Sequence, residues 1–159
     1  MTDQQVNHAT FSIDRVYDAK PERVFRAFED TNAKRRWFAQ GDDDNWLIES
    51  YENDFRVGGY ERSRFRFNNG PLISNDTIYL DIVRNERIII AYTMAAEGNL
   101  FSSSMSTIEF KRHGAGTKLT YTEQGAYLGE ANQAVGREHG CRDLFERLSK
   151  ELERATAAA

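Results

Sequence analysis

Glu123 is the carboxylate whose position in this chain says most about chemistry. Leu119 and Tyr121 precede it at a spacing of two, so on an extended strand the three side chains project from one face. If that face is buried, Glu123 is buried with it, near the end of the strand where a pocket would open. A buried carboxylate has a raised pKa unless it is paired, and it can orient or protonate a bound molecule. Two roles are open: contact with a ligand, or a salt bridge to an arginine such as Arg15, Arg62 or Arg64. Tyr92, Tyr121 and Tyr127 belong to the same question. A buried tyrosine hydroxyl normally finds a partner, either a ligand oxygen or another side chain.

The remaining reactive side chains point to less. His8, His113 and His139 fall in an N-terminal tail, a hairpin loop and a helix start, and no two have metal-ligand spacing. Cys141, two residues after His139, does not complete a site on a helix, so no metal is expected. On the apolar stripe of that helix, Cys141 reads as a small inert hydrophobe rather than a nucleophile. There is no phosphate-cradling glycine loop and no dinucleotide fingerprint, so no cofactor is expected. Arg62, Arg64 and Arg66 alternate with Ser63, Phe65 and Phe67. The arginines most simply face solvent; in the opposite register they would line a cavity and suit an acidic ligand. Lys34, Arg35 and Arg36 read as the solvated face of a short helix.

The elements that must position these residues follow from pattern. A first strand is expected over residues 10–18, then a short helix over 21–29 opened by Pro21 and carrying Val24, Phe25 and Phe28. Thr31 or Asn32 would cap a second short helix leading to Trp37 and Phe38. Residues 40–45 read as a loop. Strand signals then recur over 46–51, 60–67, 78–82, 87–95, 101–112 and 117–124, separated by Gly and Asn turns. Residues 129–153 form one long amphipathic helix, with Cys141, Leu144, Phe145, Leu148 and Leu152 on one stripe. Arg142, Asp143, Glu146, Arg147, Lys150 and Glu151 hold its other side. Gly136 and Gly140 lie in its first half and imply close approach to the sheet or room beneath the helix. Residues 155–159 read as a fraying tail.

An antiparallel sheet has one face to bury and a single long helix can cover it, a layout that tends to leave a cavity. The wall is expected to include Trp37 and Phe38 near the mouth, with Tyr92, Met94 and Tyr121 on the sheet. Tyr127, Cys141 and Phe145 would complete it from the helix side, with Glu123 as its carboxylate.

The length of 159 residues fits a single domain over 1–159, with its core at about 10–153. A hydrophobic fraction of 40% and a charged fraction of 29% are those of an ordinary globular protein. The net charge of −4 argues against nucleic acid as a partner. One cysteine excludes an intramolecular disulfide. The polar N-terminus has no signal-peptide core, and no apolar run approaches the ~20 residues that span a bilayer. A cytoplasmic protein without membrane insertion is expected, as a monomer or homodimer.

The stretch from Phe11 through Ser12, Ile13, Asp14 and Arg15 to Pro21 and Phe25 resembles the opening of Bet v 1-like (START-like, SRPBCC) proteins. Within them it is most similar to the bacterial branch named after the activator of Hsp90 ATPase, also called polyketide cyclase-like. Arg36-Trp37-Phe38, the run from Asp54 to Gly59, the run from Leu119 to Gly125 and Arg137 to Gly140 agree in order and spacing. The resemblance implies an α+β helix-grip fold: a curved seven-stranded antiparallel sheet, two short helices and a long C-terminal helix enclosing a cavity. Lipid carriers, receptors, cyclases and co-chaperones share that scaffold, so activity has to be argued from the site. The eukaryotic co-chaperone adds a separate Hsp90-binding domain, for which 159 residues leave no room. The expected function is binding of a small hydrophobic or amphipathic molecule. The alternatives are a cyclase or dehydratase using Glu123 and a tyrosine for proton transfer, and a chaperone-associated interaction module.

Overall fold

The computed structural model describes residues 4–40 and 44–158. β1 (Val6–Tyr17) leads into α1 (Pro21–Glu29) and α2 (Thr31–Lys34), which continues as a π-helical turn, Arg35–Ala39. Six strands follow in sequence: β2 (Trp46–Asn53), β3 (Tyr60–Phe67), β4 (Ile73–Val83), β5 (Arg87–Ala96), β6 (Asn99–His113) and β7 (Gly116–Leu128). The chain closes with α3 (Gln133–Ala158). The strands form one antiparallel sheet in the order β1-β7-β6-β5-β4-β3-β2. The first two strands therefore lie on opposite edges, and the short helices carry the chain across between them. Bulges at Ile48/Ser50, Tyr79/Asp81 and Met94/Ala95 bend the sheet around α3. This is the helix-grip architecture expected.

Aromatic packing fills one end of the space between sheet and helices. Phe110 takes Phe25 and Phe28 edge-on at 5.5 and 5.3 Å, and Phe28 meets Trp37 at 5.0 Å. Leu148 and Leu152 cover this end from the second half of α3. The first turns, 133–140, carry Gln133, Gly136 and Gly140 and bring no comparable apolar bulk.

Several local expectations change. Asp30, not Thr31 or Asn32, caps α2, its carboxylate accepting from the amides of Asn32 and Ala33. α3 starts four residues later than periodicity implied and its backbone stays helical to Ala158; the last residue of the expected tail, Ala159, lies outside the described residues. So does 41–43 of the expected loop. On β4 the apolar alternation is misleading: Ile78 and Leu80 are each 45% exposed, while Thr77 and Tyr79 face inward. The bulge beside Leu80 then returns Ile82 to the core. Lys34 is buried against Glu61 instead of solvated, and Glu151 is buried against Arg36 at 2.5 Å. The three β3 arginines do face outward, Arg64 to Asp76 at 2.9 Å and Arg66 to Glu49 at 2.9 Å, with Arg62 over the Tyr60 ring.

Candidate functional site

Under the first half of α3 lies a cavity of about 380 Å³. Phe38, Trp37 and Ala39 of the π-helical turn bound one side, with Phe28 behind them. β5 contributes Ile90, Tyr92 and Met94, the inward phase begun by Ile88. Cys141, Leu144 and Phe145 close it from α3. Of the nine residues expected in the wall, seven line this space: Trp37, Phe38, Tyr92, Met94, Tyr121, Cys141 and Phe145. Glu123 and Tyr127 do not. They stand one layer behind it, each fully buried. Glu123 is thus not at an opening, although the period-two inference that it faces inward with Leu119 and Tyr121 holds.

Glu123 is also not paired with Arg15, Arg62 or Arg64; Arg15 instead meets Glu146 at 2.7 Å. Its partners come from three strands and α3. Oε1 accepts from the Tyr92 hydroxyl and from Tyr121 at 2.6 Å. Oε2 accepts from Tyr127 at 2.5 Å and Ser104 at 3.3 Å. Arg137, on the first turns of α3, approaches the same oxygen at 3.4 Å, and donates to the Tyr92 hydroxyl at 2.8 Å and to Ser102 at 2.6 Å. Ser106 and Tyr121 share a further bond of 2.8 Å. Gly125 makes this possible: a Cβ there would stand 2.6 Å from the Tyr127 hydroxyl and 2.8 Å from Ser104. Only glycine lets Tyr127 fold back onto Glu123.

The electrostatics follow from burial. Tyr92 and Tyr121 titrate well above the ordinary tyrosine range because burial disfavours the phenolate, and Glu123 beside them adds to it. Burial pushes the Cys141 thiol up to about 12, so it is inert at neutral pH. For Arg137 burial opposes the charge, but Tyr92 and Glu123 outweigh it and hold its pKa above the usual arginine value. The wall thus presents protonated phenols and an arginine, while the carboxylate behind them has donors on both oxygens. Such a carboxylate holds its neighbours in place and has no vacant side turned to the cavity.

A second buried pair stands on the opposite wall. Lys34 Nζ lies 3.1 Å from Glu61 and 4.5 Å from the centre of the Phe38 ring, and Tyr51 donates to Glu61 at 2.5 Å. Asn75 of β4 also lines the cavity. Gly136 and Gly140 line it from α3 and are the lining residues most open to solvent, with nothing within 4 Å of where a Cβ would be. Here the wall is thin. Of the two alternatives their presence suggested, room and not close approach is the one observed.

Ser102, Ser104, Ser106, Arg137, Lys34 and Glu61 were not among the site residues expected from the sequence. The serines had a signal, a polar stripe at period two on β6. Lys34 and Glu61 had none, since they are 27 residues apart and meet only across the fold. Among the described residues no group of three or more His, Cys, Asp or Glu side chains is placed to hold a metal ion. Nor is any described helix long and apolar enough to cross a membrane.

The fold has close counterparts among solved structures. A crystal structure of a protein from Rhizobium loti is 44% identical, covers 92% of this chain and 99% of its own, and superposes with a TM-score of 0.85. A second, from Rhizobium leguminosarum, is 38% identical over 96% of this chain and 99% of its own, with a TM-score of 0.90. A third, from Chromobacterium violaceum, is 27% identical over 91% and 96%, with a TM-score of 0.74. No functionally curated protein matches. The sequence profile described as activator of Hsp90 ATPase homolog 1-like protein matches residues 18–153, from the end of β1 through most of α3, and the chain belongs to that family.

Proposed function

We propose that the protein binds a small hydrophobic or amphipathic molecule in the cavity between the sheet and α3. The observation that carries this reading is the cavity itself. It occupies about 380 Å³, within the range of roughly 300–1,000 Å³ usual for small-molecule sites. A void of that size in a close-packed interior forfeits contacts that a well-filled core would make. Its lining is mainly aromatic and aliphatic, with few polar groups, as such sites usually are. The thin wall at Gly136 and Gly140 offers a route in.

Glu123 lends little to the enzyme alternative. A general base needs a lone pair within reach of the substrate, and both Glu123 oxygens already accept from tyrosines. Native mass spectrometry of gently purified protein, followed by denaturing analysis of what is released, tests the binding reading. A stoichiometric small apolar adduct is expected, and Phe145→Ala should reduce it. If no adduct appears and a diverse panel of hydrophobic compounds leaves the melting temperature unchanged, the reading fails.

A further inference from the structure

Asn75 sits near the start of β4, between Ser63 of β3 and Met94 of β5 in register. It lines the cavity, yet its Oδ1 is buried and has no hydrogen-bond partner in the protein. Buried acceptors in native structures are nearly always paired, so one left open in a cavity wall marks a partner supplied from outside the chain. Several other polar groups of the wall have partners of their own. Tyr92 and Tyr121 donate to Glu123, Arg137 donates to Tyr92 and Ser102, Lys34 pairs with Glu61, and Gln133 donates to the Leu128 carbonyl.

We infer that Asn75 is a polar anchor of the cavity, its Oδ1 accepting a hydrogen bond from a neutral hydroxyl or N–H group on an otherwise apolar ligand. This rests on the cavity being a ligand site. An amide oxygen reads a donor and turns away a pure acceptor. A carboxylate ligand brings no donor and sets negative charge against a carbonyl dipole. A cationic ligand would need a counter-charge, and the lining carboxylate, Glu61, is held by Lys34 and Tyr51. The group that suits Oδ1 is a neutral donor: an alcohol, a phenol or a secondary amide on an apolar frame.

Two probes of the same ring test this: 2-naphthol, which donates, and 2-methoxynaphthalene, which only accepts. Binding to the wild-type protein is measured by calorimetry at pH 7, where both are neutral. The expected result is 2-naphthol binding at least about 10-fold more tightly, because a site built to bond a hydroxyl discriminates strongly against its absence. Asn75→Leu, close in volume, should erase the difference while retaining 2-methoxynaphthalene. Asn75→Ala serves if the leucine variant does not fold, as judged by circular dichroism. Equal binding of the two probes to wild type, preference for the methoxy compound, or a preference that survives both substitutions overturns the assignment. If the wild type binds 2-methoxynaphthalene without discrimination, the cavity reading stands and only the Asn75 role falls. If it binds neither probe, the Asn75 assignment falls, and the cavity reading falls with it only when the adduct and panel measurements are negative as well.

Discussion

Replacing Glu123 by Gln should destabilise the fold far more than its near-identical shape suggests. The carboxylate accepts from Tyr92 and Tyr121 on one oxygen and from Tyr127 and Ser104 on the other. A glutamine keeps one carbonyl oxygen and turns the other into an amino group, so one pair of hydroxyls loses its acceptor and faces a donor. Hydrogen bonds to a charged group contribute about 1.5–3 kcal/mol each. Arg137, only 12% exposed, also loses its counter-charge, and breaking a buried ion pair costs about 3–5 kcal/mol. These figures describe overlapping losses and do not add, so the expected total is about 3–5 kcal/mol. At roughly 2–4 °C per kcal/mol for a domain of this size, that is a fall in Tm on the order of 10 °C. Urea titration followed by circular dichroism and tryptophan fluorescence reads the difference. A double-mutant cycle with Arg137→Met should give a coupling of about 1.5 kcal/mol or more. A loss below about 1 kcal/mol at unchanged urea dependence, or strict additivity with Arg137→Met, would refute the claim that this carboxylate organises the wall.

Three further outcomes are expected. Gly136→Ala and Gly140→Ala should each stabilise the protein by about 0.5–1 kcal/mol, since alanine favours the helix and its Cβ meets nothing within 4 Å; Gly140→Leu should slow association of 2-naphthol in stopped-flow fluorescence, and an unchanged rate would move the mouth elsewhere. Lys34→Met should lower stability by about 3 kcal/mol in urea by stranding buried Glu61, and adding Glu61→Gln to it should recover part of the loss. Cys141 is held at about 12 in the fold against an ordinary 9.0, so the folded chain keeps a proton that the unfolded chain sheds above pH 9. Its contribution is complete below pH 9 and is lost as pH rises towards 12, with Tyr92 and Tyr121 acting in the same direction above pH 10. The urea midpoint should therefore drop between pH 9 and 11, less steeply in Cys141→Ala; an identical slope in that variant would place the effect on the tyrosines alone.

The fold was legible because its signals are local and repeat. Period two marks β5 and β7, and the Cys141-to-Leu152 stripe marks α3; each inward residue on them is where the pattern put it. β4 shows where this fails. Ile78 and Leu80 suggest the buried face, but the cavity takes Asn75 and Thr77 on that side and the bulge resets the phase. The partners of Glu123 were harder still. A carboxylate on β7 could be matched to any arginine on another strand, whereas its partner arrives on a helix fourteen residues later. Strand periodicity says which way a side chain points and nothing about which helix turn comes down over it.

The network and the void beside it are parts of one arrangement. A helix laid on a sheet by apolar packing alone would settle until the space closed, as the Leu148 and Leu152 end of α3 has done around Phe110 and Phe25. The other end is held differently. Arg137 ties the helix to Tyr92 on β5, Ser102 on β6 and Glu123 on β7 through bonds of fixed length, and Gly136 and Gly140 on the same turns send no side chain into the gap. The polar links set how near this half of α3 can come, and the glycines leave the interval empty. Arg137→Met would then do more than lower stability. With the tether gone and an apolar chain in its place, the first half of the helix should sink towards Tyr121 and Tyr92, and 2-methoxynaphthalene should lose affinity even where the variant stays folded. Wild-type affinity in a folded Arg137→Met protein would mean that packing, and not the polar network, keeps the cavity open.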